Sequence, residues 1–286
     1  MDQNIPSSHS SNKNPSLYEP FDGSVGPIKN NWWLFYSLLA ATLVTTILAG
    51  GLLFSISLML ILGAHEFGHY WASKRNGVKA TLPYFIPAPP IFIAGTFGAF
   101  IQIKQRIPNR RVLMEIGAAG PIAGFIVALP ALILGLHLST VAPFAMSSIN
   151  FGSSLLLNVC SKLILGVDPS SPNLIVHPIA FAGWIGMLVT ALNLMPVGQL
   201  DGGHIIFALC PNKHSLIGKL IFVGLFPLGY FWPGWFFWAL IIALMGFQTA
   251  PLEQGFGELE YVHKALGIIS LVIFLLTFIP IPFSAI

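Results

Sequence analysis

The chain has 286 residues, 55% of them hydrophobic and only 8% charged, with a mean hydropathy of +0.79. Soluble proteins carry roughly a quarter charged residues, so most of this chain cannot be clothed in water and must be solvated by lipid. The formal net charge of +3 is small and its basic residues gather in one loop, which reads as membrane topology and excludes nucleic acid as a partner.

Residues 1–30 are polar, with Ser7, Ser8, Ser10 and Ser11 beside Asp2, Glu19 and Asp22, and without Arg. They lack the apolar core of a signal peptide and the basic character of a transit peptide, and predict a disordered cytoplasmic tail. From residue 31 onward the chain reads as a single membrane-embedded domain, 31–286. Apolar runs long enough to cross a bilayer start at Trp32 (to about Phe54) and Ser55 (to Ala72). A basic, proline-rich loop follows, then a third run from Val112 to about Leu138. Residues 139–177 are mixed, with a shorter apolar stretch, Phe151–Leu165, that reads as an interfacial helix or a partial span. A fourth run covers Pro178 to Pro196. Residues 215–230 and 233–247 form a tight pair joined at Phe231–Trp232, and the last run goes from Leu266 to Ile279. The expected architecture is an all-α polytopic membrane protein of six or seven transmembrane helices.

Lys74, Arg75, Lys79, Lys104, Arg106, Arg110 and Arg111 lie between the second and third runs, seven of the thirteen basic residues. Short loops rich in Lys and Arg face the cytoplasm. On that count the end of the second run and the end of the fourth, near Pro196, emerge on the same cytoplasmic side. No internal duplication of the kind found in many transporters is visible. Cys160 and Cys210, the only cysteines, close apolar segments and read as buried, inert thiols.

The second run ends Gly63-Ala64-His65-Glu66-Phe67-Gly68-His69. Histidines at i and i+4 share one helix face, so both rings can grip one cation, and a glutamate at i+1 can reach a water on it. Ionisable groups inside a span are costly and mark function by default. A catalytic zinc takes three protein ligands, and the third candidate is Asp201, a rare carboxylate in apolar sequence, within Asn193-Leu194-Met195-Pro196-Val197-Gly198-Gln199-Leu200-Asp201-Gly202-Gly203-His204. Pro196 predicts a break in the fourth helix, and Gly198, Gly202 and Gly203 permit an unwound segment lining a cavity. His204 is a supporting partner or a competing ligand. His137, His177, His214 and His263 fall at span ends, where an interfacial histidine needs no special role. Small residues at Gly63, Ala64 and Gly68, and the Gly120-x-x-x-Gly124 face of the third run, predict close helix packing around the site.

His65-Glu66-Phe67-Gly68-His69 followed by Asn193-x-x-Pro196 and Leu200-Asp201-Gly202 resembles the site-2 protease family of intramembrane zinc metalloproteases. Gly95-Thr96-Phe97-Gly98-Ala99-Phe100 and Gly117-Ala118-Ala119-Gly120-Pro121-Ile122-Ala123-Gly124 look like that family too. The likeness covers about residues 50–210 and is to short members without a PDZ insert. The resemblance implies His65, His69 and Asp201 as ligands of one Zn2+ per chain, Glu66 as general base, and Asn193 as a polar group near the scissile carbonyl. It implies a substrate that is itself a single-span membrane protein, such as a membrane-tethered regulator, cut inside the bilayer. Residues 95–104, rich in β-branched and aromatic types and followed by Pro108-Asn109, predict a small re-entrant strand or hairpin. There Gly95, Phe97, Gly98 and Phe100 would hold the extended substrate by strand addition; the alternative is an amphipathic loop on the membrane surface. Pro83, Pro87, Pro89 and Pro90 make the approach irregular. The expected location is the cell (inner) membrane with the site towards the cytoplasm. Two other readings stand: a zinc transporter, and a membrane zincin of the prenyl-protein protease type. The first lacks ligands spread across the membrane, and the second lacks a helical pattern at Glu253, Glu258 and Glu260. The oligomeric state is not encoded in any of these signals.

Overall fold

The computed structural model describes residues 31–89, 92–143, 149–247, 252–253 and 257–285; the tail predicted over 1–30 lies outside the described residues. In chain order the elements are α1 (Trp32–Arg75), β1 (Tyr84–Pro87), β2 (Thr96–Phe100), α2 (Arg110–His137), β3 (Thr140–Val141), β4 (Ile149–Phe151) and α3 (Leu155–Leu165). They continue with β5 (Leu174–Ile175), α4 (Pro178–Asn193), α5 (Asp201–Leu209), α6 (His214–Phe231), α7 (Gly234–Met245), α8 (Tyr261–Thr277) and β6 (Phe283–Ala285).

Helix α1 is two arms. Gly51 interrupts it with φ 83° and ψ 176°, a conformation open to glycine and closed to most other residues. The hydroxyls of Thr46 and Ser55 meet at 2.6 Å, whereas nine residues of unbroken helix would separate them by about 13 Å. Phe35, at the start of α1, lies 6.4 Å ring to ring from Tyr84, beyond its end. The chain therefore doubles back at Gly51, and the two predicted runs are antiparallel arms, 32–50 and 52–75.

The second arm packs with α2 and α4 around Phe54, Leu58, Ile61, Ala128, Leu132 and Met187, all buried. Asn109 starts α2: its side chain accepts the backbone N–H groups of Arg111 and Val112, satisfying two orphan donors of the first turn. That role displaces the turn expected at Pro108-Asn109. The strand over 95–104 exists, but its partner precedes it. Residues of β2 pair antiparallel with β1, Tyr84 opposite Phe100 and Ile86 opposite Gly98, with a bulge next to Pro87. The proline-rich approach thus supplies a strand, because Pro83 and Pro87 fall at its ends, where a missing donor costs little.

At the other end of the bundle, β3 pairs with β5 and β4 with β6, so the C-terminal strand is clamped near the start of α3. Seven helices cover the eight predicted apolar segments, α1 taking the first two. Three of them, α1, α2 and α6, are long and apolar enough to cross a membrane by length and composition; α3, α4, α7 and α8 are shorter apolar helices. Cys160 is buried, but Cys210 is exposed at the end of α5, because α5 stops at Leu209 before burying it.

Candidate metal centre

His65 and His69 lie one turn apart in the second arm of α1, both buried. Helix α4 ends at Asn193, ahead of Pro196, and residues 194–200 turn back before α5 begins at Asp201. The unwound segment is therefore shorter than predicted. Gly202 and Gly203 belong to the first turn of α5, where any side chain would collide with the carbonyls of Leu194 and Gly198. That packing fixes α5 against the turn and aims Asp201 at α1.

The Nε2 atoms of His65 and His69 stand 3.1 Å apart, and Asp201 Oδ2 lies 3.2 Å from the first and 3.3 Å from the second. Among the described residues these three side chains form the group spaced to hold a metal ion. Two ligands about 2.1 Å from a tetrahedral zinc sit roughly 3.4 Å from one another, so this triangle is the size a zinc ion requires. The tautomer agrees. His69 Nδ1 is 2.7 Å from the carbonyl of Ile116 and must donate its hydrogen there, which leaves the Nε2 lone pair directed into the triangle. The donor set of two imidazoles and one carboxylate is of the catalytic zinc type.

Helix α2 closes the back of the site. A side chain at Gly120 would overlap the His69 ring, and one at Gly124 would meet His65 at 3.2 Å. The close packing read from Gly120-x-x-x-Gly124 is thus present, and its partners are the two histidines themselves. The sequence left two supporting contacts unseen, the Ile116 carbonyl on His69 and the Ile101 amide on Glu66; backbone groups leave no signature in residue type.

Glu66 is buried beside the triangle, and the backbone N–H of Ile101 donates to its carboxylate. Asn193, the last residue of α4, brings Nδ2 to 3.4 Å from His65 Nε2. His204 stays outside the ligand group: it packs over Gly117, and among the described residues its buried Nδ1 has no hydrogen-bond partner.

The predicted substrate residues line the sheet next to Glu66. Gly95 and Gly98 both have positive φ, 65° and 99°, at the start and the bulge of β2. Phe97 and Phe100 are exposed. Thr81 N–H donates to the Gln102 carbonyl, so even-numbered residues after the bulge turn their backbone towards the β1 side. Alternation in an antiparallel pair then turns Ala99 and Ile101 the other way, and the Ile101 contact with Glu66 agrees. Among the described residues the edge of β2 away from β1 pairs with no other strand, and Ile101, just past β2, donates to the Glu66 carboxylate.

Residues 53–223 match peptidase family M50, overlapping the 50–210 stretch that carries the motifs. The chain is 34% identical over 228 residues to the probable zinc metalloprotease EGY2, chloroplastic, of Oryza sativa subsp. indica, covering 78% of this chain and 41% of that one. It is 33% identical over 245 residues to the EGY2 protein of Arabidopsis thaliana (83% and 43%). It is 34% identical over 234 residues to the probable zinc metalloprotease EGY1, chloroplastic, of Arabidopsis thaliana (77% and 41%). The chain spans about two-fifths of the length of these curated relatives. Their names place them in the chloroplast, which gives no support to a cell inner membrane. No solved structure matches.

Proposed function

The chain belongs to peptidase family M50, and on that premise we propose that it is an intramembrane zinc endopeptidase cutting peptide bonds within or beside the transmembrane segments of single-span proteins. The observation that carries the proposal is the His65–His69–Asp201 triangle with Glu66 adjoining it inside an apolar bundle. Bound there, zinc supplies a Lewis acid for the scissile carbonyl and a water acidified towards neutrality. His65, His69 and Asp201 would hold it; Gly120 and Gly124 let α2 close behind the two rings.

Glu66 takes the proton of the attacking water and passes it to the leaving amine. The Ile101 amide holds that carboxylate in place. Asn193 directs its amide N–H groups at the carbonyl oxygen as negative charge develops there. A substrate helix has its amides tied up in its own hydrogen bonds and must be unwound first. The outward backbone groups of Ala99, beside the Ile101 contact, offer it a strand to pair with, and Phe97 and Phe100 flank that edge. Gly95 and Gly98 shape the bulge.

In this reading the two arms of α1 cross the membrane separately, and with α2, α4 and the later helices they make six or seven spans in a multi-pass membrane protein. The basic loop supports a metal centre towards the cytoplasmic side of its membrane. A membrane-tethered regulator is a fitting substrate. The test is cleavage of a single-span protein in proteoliposomes: activity is lost on chelation and returns with about one zinc per chain. Activity that persists in metal-free protein rejects the reading.

A further inference from the structure

Beside the metal centre, a groove of about 500 Å³ runs between the second arm of α1, α2 and α8. That is within the usual range of ligand sites, roughly 300–1,000 Å³. Phe67 and Trp71 form one wall, Ala119, Ala123 and Ile126 the other, and Leu266 of α8 closes one side. Its floor is the seam where Gly68 presses on the Ala119 carbonyl, one residue before His69. From Glu115 to Ile126 the groove follows α2 for about 16 Å.

Its ends differ. Towards Ile126 it is apolar. Towards Glu115 it reaches the basic loop, and of the two charged residues that line it, Glu115 is hydrogen-bonded and, among the described residues, Arg75 is not. Glu115 Oε2 accepts from Asn76 Nδ2 at 2.8 Å, and Oε1 lies 3.3 Å from His263 Nε2. Arg111, one turn before Glu115, is paired with Glu260 at 2.6 Å and donates to the Glu258 carbonyl. Arg75 lies over the Trp71 ring, 5.4 Å from its centroid, and among the described residues it has no hydrogen-bond or ion-pair partner. A guanidinium offers five donors matched to a phosphate. A guanidinium without a hydrogen-bond or ion-pair partner among the described residues thus stands at the polar end of an apolar groove.

We propose that this groove binds one anionic phospholipid, its phosphate on Arg75 and an acyl chain along Trp71, Phe67 and Ile126. A zwitterionic lipid carries the same phosphate with its own cation beside it, so Arg75, within the basic loop that adjoins the groove, favours the anionic class. The occupant braces the α1–α2 seam on which His69 is seated. The proposal assumes that the chain lies in a bilayer but not that it is a protease.

The test uses the full chain in phosphatidylcholine nanodiscs containing increasing brominated phosphatidylglycerol or brominated phosphatidylcholine. Tryptophan quenching is measured, with Trp71→Phe identifying the Trp71 component. That component should half-quench at a roughly fivefold lower fraction of the brominated anionic lipid, the preference expected of one basic residue at a membrane surface. Arg75→Gln should make the two lipids equivalent. Lys74→Gln, whose ammonium lies over Tyr70 instead, should keep the preference. Equal quenching by both lipids in the unmodified chain, or equal loss in Lys74→Gln and Arg75→Gln, overturns the site.

Discussion

Gly120→Ala tests how the metal centre is built without touching a ligand. The three atoms nearest a methyl at this position all belong to the His69 ring, and all lie inside the 3.0 Å that real Cβ atoms do not approach. Neither side yields cheaply. Gly120 is in the middle of α2, and His69 is tied to the Ile116 carbonyl at 2.7 Å. To regain ordinary contact the ring must swing by about an ångström or more, which breaks that hydrogen bond and opens the 3.1 Å and 3.3 Å edges of the triangle. Supporting groups around zinc sites are worth roughly 10–100-fold in affinity, and overpacking costs about 1–3 kcal/mol in its own right. Zinc affinity of Gly120→Ala should therefore fall 10–100-fold. Gly124→Ala, meeting His65 at 3.2 Å, needs a shift of only a few tenths of an ångström and should lose no more than about fivefold. Competition against a chromophoric chelator reads both, and thermal unfolding of the metal-free forms checks that each folds. Wild-type affinity in Gly120→Ala would refute the packing of His69 against α2 as the device that sets the triangle.

Asp201→Ala should lose zinc by more than the roughly 10–100-fold expected of a supporting group, while His204→Ala keeps about one zinc per chain by metal analysis. The reverse pattern would make His204 the third ligand. Ala99→Pro removes an outward donor of β2 and leaves its pairing with β1 in place, so cleavage should fall about tenfold or more with zinc content unchanged. The loss should be greatest for substrates whose helices lack Gly or Pro near the cut; unchanged cleavage of every substrate would remove strand addition.

The metal centre was legible because its chemistry needs particular residue types at fixed spacing. His65, Glu66 and His69 announce themselves within one helix turn, and Asp201 stands out as a carboxylate in apolar surroundings. The charge count brought the two segments to one side of the membrane before their contact was known. The helices were legible through apolar runs, although Gly51 set the turn of α1 a few residues earlier than hydropathy placed it. What the sequence hid was carried by backbone. Nothing in the proline-rich segment marks Tyr84–Pro87 as the partner of β2, since strand pairing is chosen by main-chain geometry and prolines at strand ends do not prevent it. The Ile101 amide on Glu66 and the Ile116 carbonyl on His69 belong to residues whose side chains say nothing of the role. Gly202 and Gly203 were read as sites of unwinding because glycine lowers helix propensity; in α5 they serve close packing instead, which propensity does not record.

The most direct measurement is of Glu66→Gln. The amide keeps the shape of the carboxylate but cannot take a proton from water, and a general base contributes about 10²–10⁴-fold. In proteoliposomes with a single-span substrate, the variant should bind about one zinc per chain with wild-type affinity and cleave at least a hundredfold more slowly. Cleavage within tenfold of wild type, with zinc fully bound, would contradict the assignment of Glu66 as the base.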